Sequence, residues 1–541
     1  MQAFCLSILL LVFPVTAIDC NLPIKGTHNI ITSCESADTV QLTTPDARLS
    51  FTGKGIEETV VTRSAHDHRL FHLLNHSKLS VTNMTLSGGS INWAVFPAVG
   101  SPASLVLVST GASLHATNVK FMHGIATQGG AILVQKFENT IAILVSCIFY
   151  RNSAGHGGAL SHASLGVTYQ SVSSDGLPEY KHHPSFKIVS CLFLENRAHI
   201  GGAFFNAPQT RQYINSSTFD SNTAQYQGGV VYTDTFQGNL GQTIPTLDTQ
   251  LYLHNVVFKD NSAPYGGVAY LSGFDNGAVM KKVRFLRNVA VKKGGVMFSS
   301  GQLKLEQSQV INSSCTIDDS LIANEAGQGG AFFVAGGELI LNDVVIKGST
   351  VTGRGGAIFS RPGTSLSISK STFMGNTAVD GSAIFNEGKL RIRSSLFVQN
   401  RIKPSLLKAP VVESNCRAPH PCAIGGADCN MDGDCEQGLI CYQRRNGERV
   451  PGVELMDKNM PCSSTVACTY FCHNQLCDKI GKNWGVCTFD VETLASAVSA
   501  RTAAVGNILW IVNTSFQNNH FLLFLFHYYQ SESLTTVTQI K

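Results

Sequence analysis

The chain repeats one alternation of apolar and polar positions many times. In "SFKIVSCLFLENRAHIGGAFF" (185–205) apolar residues alternate with polar ones through Ile188, Cys191 and Phe193, Asn196 follows the Phe by three, and a glycine pair precedes a second apolar run. Period-two alternation predicts short strands with one buried face, and the glycines predict a corner. The pattern returns in "CIFYRNSAGHGGAL" from Cys147 and from Phe219 ("FDSNTAQYQGGVV"), Phe258 ("FKDNSAPYGGVA"), Phe285 ("FLRNVAVKKGGVM") and Phe373 ("FMGNTAVDGSAI"). Weaker copies open at Phe121, Leu321 ("LIANEAGQGGAF") and Ile346, and Phe397 opens "FVQN" with no glycine pair. Where the glycines are present they fall eight or nine residues after the opening residue, and successive openings lie about 24 to 44 residues apart. That is the range of solenoid repeats.

Several short strands per copy, stacked at about 4.8 Å, make a parallel β-helix. The predicted ladder runs inside through Phe149, Phe193, Phe219, Phe258, Phe285, Phe373 and Phe397. Asn152, Asn196, Asn222, Asn261, Asn288, Asn376 and Asn400 are assigned to turns, where an Asn amide tolerates left-handed geometry and can bond the next coil. The pairs Gly157–Gly158, Gly201–Gly202, Gly228–Gly229, Gly266–Gly267, Gly294–Gly295, Gly329–Gly330 and Gly355–Gly356 are assigned to positive φ or to close backbone approach. Similar strand patterns from Arg69 and Ser104 extend the array upstream, so the solenoid domain is placed at residues 18–403 with an N-terminal cap at about 18–35. Longer spacings place insertions near 161–185, 234–248 and 300–315, side loops where binding is expected.

A Phe-x-x-Asn element followed in order by Gly-Gly-Ala-Ile, over roughly 280 residues, resembles the polymorphic outer membrane protein repeat of chlamydiae. The resemblance implies an all-β, right-handed parallel β-helix, surface display and adhesion. It stops short of an autotransporter barrel, because fewer than 60 residues follow the last cysteine.

Composition narrows the picture. Charged residues make up 14% of 541, glycine numbers 50, and the net charge of +4 comes with no basic cluster, so nucleic acid is not an expected partner. "MQAFCLSILLLVFPVTA" (1–17) reads as a secretory signal, with no further membrane-spanning segment expected; "FLLFLF" is too short to span. Asn75, Asn83, Asn215, Asn312 and Asn513 stand in Asn-x-Ser/Thr triplets and are expected glycosylation sites of a secreted or cell-surface chain.

There are 16 cysteines, which in this setting point to an oxidising compartment. Cys147 and Cys191 sit two residues before their Phe and are expected to stack as a disulfide or a close thiol pair, Cys20 and Cys34 to close the cap, and Cys315 to remain odd. Ten more, from Cys416 to Cys487, form a module (416–487) that cross-links rather than a core would hold. Part of it, from Cys429, resembles a short cysteine-rich motif of secreted proteins of algae and related microbes. Zinc at Cys468, Cys472, His473 and Cys477, and calcium at Asp432 and Asp434, are weighed and set aside, so no cofactor is expected. Phe516-x-x-Asn519 suggests a final coil or capping strand within 505–530.

Parallel β-helices include pectin-active enzymes, so chemistry is tested by residue. Polygalacturonases resemble one another in Asn-Thr-Asp, Asp-Asp, Gly-His-Gly and Arg-Ile-Lys, in that order. This chain has Gly155-His156-Gly157, then Asp318-Asp319, then Arg401-Ile402-Lys403, with no Asn-Thr-Asp. The order is wrong, and carboxyl groups must face one substrate from both sides of the scissile bond. His66, His68, His72 and His76 read as a solvated edge rather than metal ligands. The expectation is a non-enzymatic binding, adhesive or structural protein that engages glycans, matrix or cell-surface proteins, the alternative being a pectin lyase-like, polysaccharide-active enzyme.

Overall fold

The computed structural model describes residues 26–402 except 31–32, 37–38, 64–68, 89–103, 136–138, 164–184, 207–209, 234–249, 273–276 and 317–326, and beyond them 427–429, 440–443, 485–488, 509–512 and 515–517. Two compact units divide at Asn222 and Thr223. Each is a parallel β-helix, and among the described residues there is no helix, hence none long and apolar enough to cross a membrane.

One coil of the first unit shows the design. Ser185–Val189 and Leu192–Leu194 form a bent face, Arg197–Ile200 a short face, and Phe204–Asn206 a third. Each strand pairs in parallel with its counterpart in the preceding coil, Ile141–Val145, Ile148–Tyr150, Ser153–His156 and Leu160–Ala163. Upstream, Gly26–Ile30, within the segment read as a cap, already pairs with Arg48–Gly53, which pairs with Lys78–Ser87 and so on to Ser113–Met122. Cys34 is disulfide-bonded; Cys20, the partner expected for it, lies outside the described residues.

Two bends per coil are made by single left-handed residues. Ser190 (φ 54°) separates the two strands of the bent face, and Glu195 (φ 54°) ends it. The residue before each Asn takes this conformation, as at Arg151, Ser221, Asp260, Arg287 and Gln399, and the Asn itself does not. This corrects the assignment of left-handed geometry to the asparagines: their side chains are wholly inside, and the strained φ falls on an outward residue.

The second unit repeats the plan, for instance in Gly277–Lys281, Arg284–Leu286, Val289–Lys293 and Met297–Ser299. It also corrects the placement of one insertion. Residues 301–316 are the first two faces of a coil and no side loop: Leu303–Glu306 and Gln309–Ile311 stack on their predecessors, Ser314–Cys315 joins the short face, and Phe332–Val334 completes the coil. Val310 takes the Phe position between Phe285 and Ile346, so the coil opens there and not at Leu321. The extra residues fall instead among 317–326, outside the described residues, as do 164–184 and 234–249. Further on, Leu509–Val512 and Ser515–Gln517 pair in parallel with Lys389–Arg393 and Leu396–Val398, with Phe516 in register with Phe397. Of the cysteine-rich stretch, Ala427–Cys429, Ile440–Gln443 and Gly485–Thr488 form an antiparallel sheet.

Candidate functional site

The recurring residues assemble into three stacks. In the first unit the rings of Phe121, Phe149, Phe193 and Phe219 lie 4.9, 4.5 and 4.5 Å apart and nearly parallel; in the second, Phe258–Phe285 and Phe373–Phe397 stack at 5.3 and 4.8 Å. Each buried ring removes apolar surface worth roughly 1.5–3 kcal/mol from water.

Beside the rings runs the asparagine stack. Asn196 Nδ2 donates to the Phe149 carbonyl (2.9 Å) and to Asn222 Oδ1 (3.0 Å), while Asn196 Oδ1 accepts from both the backbone N–H and Nδ2 of Asn152 (3.0 Å each). Asn261–Asn288 and Asn376–Asn400 repeat the arrangement. Each amide thereby satisfies backbone groups that the bend takes out of the sheet ladders, which a buried chain must do.

The glycine pair divides two tasks. Gly157 and Gly294 sit at φ 63° and 66°. A Cβ on Gly158 or Gly295 would lie 2.1 Å from the carbonyl oxygen of Gly202 or Gly330, so the second glycine lets successive corners nest.

Cys147 and Cys191 are neighbours in adjacent coils, buried, and free thiols. The disulfide alternative is thus corrected, with a physical reason. In-register stacking points both side chains the same way, so the sulfurs stand as the close thiol pair that was the other expectation, each also meeting a backbone carbonyl (Cys147 Sγ to Ala116 O, 3.4 Å; Cys191 Sγ to Leu144 O, 3.5 Å). Burial holds the Cys147 thiol well above its ordinary value. Cys315 is also free and buried, among Ala290, Val351 and Ala378, and burial pushes it up to about 12.

Of the residues weighed for chemistry, the structure describes only some. His156 ends the strand Ser153–His156, half-buried, with its ring 5.0 Å from that of Phe205 in the next coil. It belongs to the first unit, whereas Arg401 belongs to the second; Asp318, Asp319 and Lys403 lie outside the described residues. His72 is in the strand Phe71–Leu73, its pKa lowered by burial and by Arg69, and His76 is in the following turn; His66 and His68 are not described. Among the described residues no group of His, Cys, Asp or Glu is placed to hold a metal ion. Outward carboxylates are instead tied to basic residues of neighbouring coils: Glu195 to Arg151 (2.7 Å), Asp260 to Arg287 (2.7 Å) and Asp380 to Arg354 (3.8 Å). The hydrogen bond from Arg287 holds the Asp260 carboxyl below its usual range. The expected glycosylation positions Asn75, Asn215 and Asn312 are exposed; Asn83 is half-buried and accepts from Asn118 Nδ2 (2.8 Å), and Asn513 is not described.

A third stack escaped the reading of the sequence. On the third face of the second unit, Tyr232, Tyr270, Phe298, Phe333, Phe359 and Phe385 point outward in register, with rings 5.4, 4.5, 5.0, 5.3 and 5.2 Å apart. Lys293 Nζ and the Arg361 guanidinium lie 5.1 and 5.5 Å from the Phe333 centroid, and Arg354 lies 5.0 Å from that of Phe385. The signal was present in "GGVVY", "GGVAY", "GGVMF", "GGAFF", "GGAIF" and "GSAIF", where an aromatic residue stands third after the glycine pair in six consecutive coils.

With both interior stacks in place, the sequence comparison has a structural meaning: residues 216–234, from the end of one ladder strand through the glycine corner, match the Chlamydia polymorphic membrane protein (Chlamydia_PMP) repeat. Residues 216–234 are a copy of the polymorphic membrane protein repeat. No curated protein matches the chain in sequence. Among solved structures, the catalytic domain of a GH87 alpha-1,3-glucanase in complex with tetrasaccharides is 12% identical, with a TM-score of 0.32, and the same domain in complex with nigerose is 11% identical, with a TM-score of 0.33. Each likeness covers 69% of this chain and 60% of the other, and at these scores neither bears on activity.

Proposed function

We propose that this protein is a secreted or cell-surface adhesive scaffold, in which polymorphic membrane protein repeats hold a β-helix and its outward faces bind glycans, matrix or cell-surface proteins. The observation that carries the reading is the division of labour within the repeat. The recurring Phe, Asn and Gly of the repeat are consumed by the interior and the corners, while the outward positions, the aromatic row of the third face apart, vary from coil to coil and are held at fixed spacing by backbone pairing. A surface of that kind suits multivalent attachment, in which many weak contacts add. Charged groups of that surface pair with one another across coils, Arg151 with Glu195 and Arg287 with Asp260. Export through the N-terminal leader, glycosylation and a disulfide-held C-terminal module belong to the same reading.

The test is to incubate the purified chain with polyuronides, neutral glycans and cultured cells, scoring retention and product release together. Retention without turnover is the expected result. Product release that His156→Ala abolishes would replace the scaffold by an enzyme.

A further inference from the structure

The outward aromatic stack is not uniform. Phe333, Phe359 and Phe385 are 1%, 3% and 8% exposed, closed over by one another and by the arms of Lys293, Arg354 and Arg361. Tyr270 and Phe298 are only half-buried, and the Tyr265 ring meets Phe298 edge-on at 6.3 Å from the adjoining short face.

The short face is irregular at this place. Thr223 and Gln227 pair with Ser262 and Tyr265, and Ala263 and Tyr265 pair with Ala290 and Lys293, so the coils on both sides of Tyr265 each contain one extra residue. Such bulges turn side chains out of the sheet. Here they accompany exposed Tyr226 (53%) and Val291 (37%), and Lys292 reaches over the Tyr265 ring at 5.5 Å. In the first unit the corresponding strands Ile125–Gln128, Ser153–His156 and Arg197–Ile200 pair without a register shift.

We infer that the patch formed by Tyr226, Tyr265, Tyr270 and Phe298 with Lys292 and Lys293 binds an acidic polysaccharide. The inference rests on the adhesive reading above and names its ligand class. Aromatic rings with polar tips offer apolar surface to the C–H faces of a pyranose and hydroxyls to its edge. Ammonium groups beside them pair with carboxylate or sulfate. The edge is basic beside the open rings: Lys292 and Lys293 are followed along it by Arg354, two coils or about 10 Å on, through the pairing Lys293–Gln328–Arg354, and the row ends at Asp380, which is paired with Arg354. Consecutive coils therefore present rings, and alternate coils cations, at a spacing that an extended chain of sugars, acidic at intervals, can follow. An apolar protein partner would instead favour the Phe333–Phe385 end, which is already covered.

The experiment measures binding of the full chain to polygalacturonate and to dextran at low and high salt. Polygalacturonate is expected to bind in a salt-sensitive manner and dextran at least tenfold more weakly. Lys292→Glu with Lys293→Glu should reduce polygalacturonate binding at least tenfold, and Tyr265→Ser should reduce it severalfold, each variant being scored once its cooperative unfolding has been verified. Because Tyr265 is a rim residue, its variant decides the matter should the double variant fail to fold. If the wild type binds polygalacturonate and folded variants bind it equally well, the site is refuted while adhesion stands. Equal binding of dextran, or cell attachment with no affinity for polygalacturonate, refutes the acidic ligand. A chain that retains neither glycans nor cells would overturn the adhesive reading itself.

Discussion

The interior phenylalanines and the outward aromatic stack have the same spacing and nearly parallel rings, yet they are held in different ways. Inside, Phe149, Phe193 and Phe219 are fully buried, and each coil's ladder strand is tied to the next by an asparagine amide. Outside, the rings of Tyr232, Phe333, Phe359 and Phe385 are buried, with cations over Phe333 and Phe385, while Tyr270 and Phe298 remain half-open. Stacking thus follows from coil spacing alone, while stability comes from closure. A row of aromatics on a solenoid holds the fold when walled in and is available to a ligand when it is not.

The contrast can be broken most severely from within. Phe193→Ala should destabilise the first unit by about 3–5 kcal/mol, the cost of a large cavity in a core that cannot collapse around it, read by denaturant unfolding. Asn196→Ala should cost about 3 kcal/mol, because it strands the buried Phe149 carbonyl and the Asn152 N–H without partners. Asn196→Asp should be nearly as harmful, since the carboxylate cannot donate to Phe149.

Charge sharpens the same comparison. The Cys315 thiol, held up to about 12 in the folded chain against 9.0 ordinarily, stays neutral where an unfolded thiol ionises. Its effect on stability is absent below about pH 9; above that the unfolded state binds fewer protons, so stability falls by roughly 1.4 kcal/mol per pH unit until pH 12. Cys315→Ala, which copies Ala290 and Ala378 in its own row, should flatten that alkaline limb in a pH series of unfolding curves. The smallest effect belongs to the outer stack: Phe298→Ala should cost only about 1–2 kcal/mol, since its ring is already partly in water.

Much of this was legible before any coordinates. The alternation around Phe193, the Asn three residues on and the glycine pair announce a stacked coil, because these residue types must satisfy the same bend in every turn of the chain. The coil at 301–316 was passed over because Val310 stands for the Phe and Ser313 for the Asn, both adequate inside, while the added residues at 317–326 separate it from its glycines. The aromatic residue after each glycine corner was overlooked for another reason. In a strand of three residues, alternation cannot reveal whether the middle ring faces a core or the solvent.

Residue spacing and type were therefore enough to establish the repeat, its parallel stacking and the elements that make the interior, since every coil faces the same local demands of burial and backbone hydrogen bonding. The direction in which Cys147 and Cys191 point, the residue that takes the left-handed bend, and the gathering of Tyr265, Phe298 and Lys292 beside two bulges depend on contacts between coils about 30 residues apart. Those contacts exist only once the coils are stacked in register.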